Sequence, residues 1–231
     1  MTEPHRPSIL PQYAQECLDA LAQRDLGEKI SLGGAFGLAH YFEYRTTHDV
    51  DAWWVEPVTG EARQQVITAL QDALRPFGQV RVRSWGDVVS VELSHEKKAI
   101  FSFQIAHRSA RLCEPQASPW PGGILVDAFE DLVASKMVAL VERGMPRDFL
   151  DIYTLCQHGW CDATHCWALW QERQKQAGED ADRQRAALAI RTHLERLEQI
   201  RPLERIADPQ QRQTAQVLRT WFAEEFLHGL A

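Results

Sequence analysis

The stretch from residue 31 to residue 54 constrains the fold of this chain more than any other part of its sequence. It begins with a Gly-Gly pair after a short apolar run and ends in Asp49-Val50-Asp51 followed by Ala-Trp-Trp. This order predicts a strand, a glycine turn, a short helix, a polar turn and a second strand. Because strand side chains alternate between two faces, Asp49 and Asp51 are expected to point the same way.

The paired carboxylates of Asp49 and Asp51 need either solvent or a cation. Two like charges on one strand face repel each other unless a cation lies between them. Mg²⁺ takes one or two carboxylates together with substrate phosphates, and Gly33-Gly34 would let the backbone approach an anion closely. A solvated strand start is the alternative, but the apolar continuation places Asp51 at the edge of a core. The pattern favours metal-assisted phosphate chemistry.

The first 125 residues predict an α/β domain in which helices flank a mixed sheet. Helical spacing of apolar residues covers 9–24, 35–42 and 61–74. Strand patterns cover 29–32, 49–55, 78–84, 88–93 and 98–106. The last three are separated by short turns, so they are expected to form an antiparallel meander.

The remainder, residues 126–231, predicts a helical domain. Residues 107–123 are polar and rich in proline, which indicates a loop and a domain boundary. From Asp127 onward the pattern is helical, with breaks near 144–146, 159–162, 178–180 and 201–209. A mixed sheet followed by helices places the whole chain in the α+β class.

The overall composition bears on which partners the protein binds and on the cellular compartment in which it is expected. The net charge is −7, with acidic residues in excess in both halves, which argues against wholesale coating of nucleic acid. No apolar stretch has the length of a membrane span, and the N-terminal residues lack the pattern of a signal peptide. Five cysteines at irregular spacing favour reduced thiols, so we expect a cytoplasmic protein without a membrane partner.

A second group of candidate residues lies in the predicted helices after residue 129. Lys136 falls within or beside an apolar helix stripe, so it must extend to solvent or bind an acid or a phosphate. Further on, Pro146 is suited to the first turn of a helix. Arg147 and Asp151 are four residues apart and could form a surface pair, while Asp148 and Asp151 share a face.

Two further patterns each admit an ordinary structural explanation. The cysteines and histidines of residues 156–166 match no common zinc-ligand spacing, so the sequence does not favour zinc there. The basic residues on and after the three late strands suit either a solvated sheet face or contact with a triphosphate or an RNA backbone. These are Arg81, Arg83, Lys97, Lys98, Arg108 and Arg111.

Two landmarks resemble the AbiEii/AbiGii toxin family of the nucleotidyltransferase superfamily. Gly33-Gly34 followed by RTTHDVD at 45–51 is similar to the family's glycine turn and R-x-S/T-x-D-x-D signature. The segment 132–155, LVASKMVALVERGMPRDFLDIYTL, is similar to its second landmark, a lysine-bearing helix followed by R-D-x-x-D and a tyrosine. Both landmarks occur in the family's order, and the resemblance spans about residues 29–157.

The resemblance implies a Mg²⁺-dependent transfer of a nucleoside monophosphate from an NTP to a hydroxyl of RNA, such as tRNA, or of a protein. Asp49 and Asp51 would hold Mg²⁺ against the NTP phosphates, and Gly33-Gly34 would form the turn that approaches them. Thr47 would bind a phosphate or orient the aspartates. Lys136 would reach the triphosphate, and Asp148 would support the site or help to activate the acceptor. The family also implies a toxin-like role with an antitoxin partner.

The chain departs from the family pattern on one strand. Family members often carry a Lys-x-acid pair where this sequence has Ser102 and Gln104. A glutamine cannot replace a carboxylate as a metal ligand or base, and Glu92 on the neighbouring strand is a candidate substitute. The alternative hypothesis is therefore a catalytically degenerate member that binds a nucleotide or a partner.

Overall fold

A computed structural model describes residues 3–96 and 98–228 of the chain. Lys97, one of the basic residues singled out above, lies outside the described residues. The chain forms two compact units, the first ending at Leu132 and the second beginning at Val133. The predicted α+β class is confirmed, with a mixed sheet in the N-terminal part and helices in the C-terminal part.

The first unit is built on one mixed sheet to which seven strands of the described residues belong. The strands are β1 (Ile30–Gly33), β2 (Val50–Trp54), β3 (Gln79–Trp85), β4 (Val88–His95), β5 (Lys98–Ala106), β6 (Gln116–Ala117) and β7 (Leu125–Val126). Their order across the sheet is β3-β4-β5-β2-β1-β7-β6. The predicted meander of β3, β4 and β5 is confirmed as antiparallel, while β5 runs parallel to β2.

Alternation along the strands separates an apolar face of the sheet from a polar one. Val50 and Ala52 of β2 are buried, as are Phe103 and Ile105 of β5, because each pair points to the same side. The helices α1 (Ala14–Gln23) and α3 (Gly60–Leu74) contact each other, and α3 contacts β3 and β4. Each large apolar side chain buried in this way contributes about 1.5–3 kcal/mol. The residues between these buried positions, such as Asp51 on β2 and Gln104 on β5, point to the opposite face of the sheet.

The largest departure from the sequence prediction lies in residues 107–123. This segment was predicted to be a loop, but β6 lies within it and pairs antiparallel with β7, which itself pairs with β1. Strands of two residues are too short to show the alternation on which a sequence prediction depends. The helix α2 (Gly34–Ala39) is also shorter than the predicted 35–42.

The second unit is helical, and its helices begin where the sequence supplies capping residues. Asp162, Asp182 and Asp208 each accept a backbone hydrogen bond at a helix start, as expected for this residue type. The first turn of α4 (Phe129–Glu142) still belongs to the first unit. The other helices are α5 (Pro146–Gln157), α6 (Ala163–Ala177), α7 (Arg183–Ile200) and α8 (Pro209–Trp221). Among the residues described, none of the helices combines the length and the apolar character needed to cross a membrane.

The buried His40 follows α2 and is hydrogen-bonded to Trp120, which is 80 residues away in the sequence. Nδ1 of His40 lies 2.8 Å from the Phe36 carbonyl oxygen, and Nε2 accepts a hydrogen bond of 2.7 Å from Trp120 Nε1. The ring is completely buried. Burial lowers the pKa of His40 to about 4 from an ordinary value of 6.5, because the charged imidazolium would lose its hydration. The ring is therefore neutral in the folded protein near neutral pH.

We expect His40 to make the first unit acid-sensitive between pH 6.5 and pH 4. In this window the unfolded chain binds a proton that the folded chain excludes, so the free energy of unfolding falls as the pH falls. The shift corresponds to at most about 3 kcal/mol. Urea unfolding at a series of pH values should show a smaller fall for His40→Gln, which does not titrate. His95→Gln, at an exposed strand end, is the control; equal pH dependence in the two variants would contradict the prediction.

Candidate functional site

The carboxylate of Asp51 lies directly against the glycine turn that joins β1 to α2. Asp51 on β2 pairs with Gly33 on β1 in the antiparallel register. Gly34 has a φ of +59°, and a Cβ atom built on it would lie 2.1 Å from Oδ2 of Asp51 and 2.8 Å from its Cβ. Only glycine satisfies both the left-handed backbone and this close approach. The absence of a side chain at Gly34 therefore leaves the space that the Asp51 carboxylate occupies.

Asp49 is held by the neighbouring strand β5. Its Oδ1 accepts hydrogen bonds from the backbone N–H of Ser102, at 3.0 Å, and from the Ser102 hydroxyl, at 2.9 Å. From the preceding turn, the Thr47 hydroxyl donates to the backbone carbonyl of Asp49 at 3.2 Å. Ser102 therefore orients the carboxylate of Asp49, and Thr47 orients its backbone.

Gln104 stands beside Asp51 in the place where the family pattern has an acid. The two residues are partners in the parallel register of β2 and β5, so their side chains lie on the same face. The Gln104 amide donates to the Ser102 hydroxyl at 3.2 Å. Among the residues described, no group of three acids, histidines or cysteines forms around the two aspartates.

Glu92 does not stand beside the aspartates. It pairs with Ser102 across β4 and β5, so β5 lies between it and β2, a backbone distance of roughly 10 Å. Its Oε2 lies 3.1 Å from Nε of Arg83. The strand order and this ion pair do not favour Glu92 as the third carboxylate.

The remaining pair fits a hard divalent cation. Asp51 offers a carboxylate from β2 against the backbone of Gly34, and Asp49 offers a second one from the bend just before β2, where the sequence predicted the strand to begin. Mg²⁺ keeps several waters and is commonly bound by one or two carboxylates plus substrate phosphates, so two protein ligands suffice. The donor set suits Mg²⁺ better than zinc, which takes nitrogen and sulfur ligands more readily.

A cavity of about 460 Å³ adjoins the polar face on the same strand. Trp53 lines it, two residues beyond Asp51 and on the same face. The guanidinium of Arg108 lies 4.8 Å from the centre of the Trp53 ring and pairs with Asp127 and Asp131. Within the described chain, Nε1 of Trp53 and Nε of Arg108 are buried and have no hydrogen-bond partner.

The sequence predicts that Arg108, like the other basic residues on and after the late strands, lies on a solvated face or contacts a triphosphate or RNA. Its side chain is 8% exposed, whereas Arg81 and Arg83 are exposed as the alternation predicts. Asp131 also accepts backbone hydrogen bonds from Leu112 and Cys113, at 3.0 and 2.8 Å. Arg108 therefore belongs to a buried network that fastens the loop after β5.

In the second unit, Lys136 binds a buried acid. Its Nζ lies 2.7 Å from Oδ2 of Asp151, and the two side chains are 10% and 0% exposed. The sequence predicted that this lysine extends to solvent or binds an acid or a phosphate, and the structure shows it bound to an acid. The interpretation of Asp151 as half of a surface pair with Arg147 is wrong, because Asp151 is buried while Arg147 is exposed.

Asp148 organises the start of α5. Its carboxylate accepts two hydrogen bonds from Arg143, at 2.9 and 2.8 Å, and one from the backbone N–H of Met145, at 3.0 Å. An acid in the first turn also complements the helix dipole. These contacts give Asp148 a structural role at the helix start, with Pro146 in the first turn as predicted.

Comparison with known proteins identifies a matching family. The model of the family described as nucleotidyl transferase AbiEii toxin, type IV TA system, matches residues 16–224. No curated protein matches the chain. Two solved structures from Helicobacter pylori are similar. JHP933 has a TM-score of 0.47 at 16% identity, covering 95% of each chain. A protein described as a candidate nucleotidyltransferase has a TM-score of 0.48 at 15% identity, covering 94% of this chain and 97% of that one.

The contact between Gly34 and Asp51 can be tested with a matched pair of glycine substitutions. Gly86 in the β3–β4 turn also has a positive φ, of +51°, but a Cβ there would meet no atom within 4 Å. Gly86→Ala should lower the free energy of unfolding by about 1–2 kcal/mol through backbone strain alone.

We expect Gly34→Ala to lower the free energy of unfolding by about 1–3 kcal/mol more than Gly86→Ala, because Asp51 must also move. Urea unfolding of both variants measures the difference. Equal losses in the two variants would show that the Asp51 carboxylate does not press on Gly34.

Proposed function

Because the chain belongs to the AbiEii nucleotidyl transferase toxin family of type IV toxin–antitoxin systems, we propose that it transfers a nucleoside monophosphate from an NTP to a hydroxyl of an RNA or a protein. The observation that supports this proposal is the packing of the Asp51 carboxylate against Gly34, with the Asp49 carboxylate oriented two residues earlier by Ser102. Two oriented carboxylates at a closely approachable backbone suit the binding of a metal-complexed triphosphate.

In this proposal Asp49 and Asp51 hold Mg²⁺, and NTP is the substrate. When bound, the ion neutralises charge on the phosphates and helps pyrophosphate to leave. The acceptor oxygen forms a bond to the α-phosphorus, the bond from that phosphorus to the bridging oxygen breaks, and the acceptor's proton passes to solvent or a base. Gly33-Gly34 admits the phosphates to the backbone. Ser102 and Thr47 keep Asp49 oriented, so little reorganisation is needed when the substrate binds.

Lys136 and Asp148 have separate proposed roles in the second unit. The lysine supplies positive charge for the triphosphate, and its pairing with Asp151 keeps the amine oriented in a nearly buried position. Asp148 supports the site indirectly, because it fixes Arg143 and the start of α5, the helix that carries Asp151. A buried charge that has lost its partner is strongly destabilising, so Asp151 is needed as long as Lys136 stays buried.

The type IV assignment of the family implies an antitoxin as the partner. The net charge of −7 gives no general attraction to RNA. An RNA acceptor such as tRNA would therefore be recognised locally, and the exposed Arg81 and Arg83 on β3 are candidates for that contact. A protein acceptor would not need them.

One observation favours a second candidate, a degenerate member that binds a nucleotide or a partner without transfer. Gln104 occupies the register position beside Asp51, and an amide can neither ionise nor act as a base at neutral pH. Calorimetry with NTP and Mg²⁺ would then show binding, while labelled NTP would transfer no label.

We expect Asp49→Asn and Asp51→Asn each to reduce transfer on the order of 100-fold or more, because each removes a ligand charge from the metal site. The assay incubates protein, Mg²⁺ and each labelled NTP with total tRNA or cell extract. Asp87→Asn, in the exposed β3–β4 turn, should transfer label normally. No label transferred by the folded wild-type protein under any of these conditions would contradict the proposed activity.

Restoring an acid at position 104 gives a test that does not depend on the acceptor. Gln104→Glu should lower the free energy of unfolding in chelator by up to about 1 kcal/mol, because a like charge then faces Asp51 across the strands. Mg²⁺ should stabilise this variant more than the wild type, since it binds the folded site. The control is Gln79→Glu, at an exposed position on β3. An equal response of both variants to Mg²⁺ would contradict a metal site at Asp51.

A further inference from the structure

Three cysteine thiols converge at the corner between α5 and α6. Sγ of Cys156 lies 3.9 Å from Sγ of Cys161 and 3.9 Å from Sγ of Cys166, and the last two are 3.3 Å apart. In the described part of the chain, this is the one group of three or more acids, histidines or cysteines whose ligand atoms come this close together. Nothing in the proposed nucleotidyl transfer uses it.

Local structure explains why residues five apart meet. Cys156 lies in the last turn of α5, which is followed by Gly159 in the left-handed region with a φ of +71°. Asp162 then caps α6 by accepting from the backbone N–H of His165 at 2.7 Å. Cys161 precedes this cap and Cys166 follows in the first turns of α6, so one tight corner turns all three side chains inward.

The separations suit a single bound ion better than a disulfide. A zinc–sulfur bond of about 2.3 Å in tetrahedral geometry places neighbouring sulfurs about 3.8 Å apart. The observed values of 3.9, 3.9 and 3.3 Å lie around that length. A disulfide needs about 2.05 Å, and three thiols would always leave one over. Packing of small apolar side chains explains the burial of Cys161 and Cys166, but not the convergence of all three sulfurs.

We propose that Cys156, Cys161 and Cys166 bind one Zn²⁺ ion as thiolates, with the fourth position filled from the solvent side by water or by the exposed His165. Thiolates are the ligands that borderline and soft ions prefer, and the tetrahedral set of three sulfurs and one nitrogen or oxygen is common for zinc. The bound ion would link the end of α5 to the start of α6 through Cys156 and Cys166.

The electrostatics of the corner agree with this arrangement. Cys161 stands immediately before the N-terminus of α6, where a helix favours negative charge. Zinc binds cysteine as the thiolate, so a bound cation would replace the thiol protons of all three residues.

The test uses untagged, full-length, reduced protein. Elemental analysis after reconstitution with zinc and gel filtration should give about one Zn²⁺ per chain for the wild type and for Cys113→Ser. Cys113 lies in an exposed loop outside the cluster, so its variant is the matched control. Cys156→Ser, at a half-buried position, should retain less than about a fifth of this zinc, since a hydroxyl is a poor zinc ligand.

A thermal shift gives a second readout that is independent of purification history. Added Zn²⁺ should raise the melting temperature of the chelator-treated wild type and of Cys113→Ser, but not of Cys156→Ser, with circular dichroism confirming that each variant is folded. Co²⁺ should give thiolate charge-transfer absorption in the first two proteins only. Equal zinc content and equal shifts in all three proteins, or no zinc-dependent shift in the folded wild type, would overturn the proposal. Binding of Cu⁺ without Zn²⁺ would overturn the zinc assignment.

Discussion

The first unit depends on the close packing of the Asp51 carboxylate against the backbone of Gly34. This contact requires a strand, a left-handed glycine and a second antiparallel strand in one order, and it fixes where the carboxylate can lie. From β2 the sheet extends through β5 to the meander on one side and through β1 to β7 on the other. The strand that carries Asp51 therefore lies in the middle of the sheet and not at its edge.

The sequence predicted what depends on local periodicity and missed what depends on long-range register. Alternation identified the antiparallel meander, since the pattern of each strand follows from a period of two. The bond from Ser102 to Asp49 joins residues 53 positions apart and depends on a parallel pairing that no local pattern shows. Strands of two residues, such as β6, leave no periodic signal at all.

Buried ion pairs account for the remaining differences. The sequence allowed a surface pair for Asp151, and for Arg108 it allowed either a solvated face or contact with a triphosphate or RNA. Each is instead buried with a partner of opposite charge, Asp151 with Lys136 and Arg108 with Asp127. Such pairs add little net stability, but removing one member leaves a buried charge alone. The convergence of the three cysteine sulfurs was also not predicted, since their spacing matches no two-plus-two ligand pattern.

The direction of the hydrogen bonds around Asp49 makes the residue types at positions 102 and 104 depend on each other. The Ser102 hydroxyl has one proton, and it is donated to the Asp49 carboxylate, so its oxygen can only accept from Gln104. An amide at 104 can donate in this way, whereas a carboxylate there would face an oxygen that has no proton left to give. The serine and the glutamine are thus complementary. An acid at 104 would fit well only if residue 102 changed to a donor with protons to spare, such as the lysine of the family pattern.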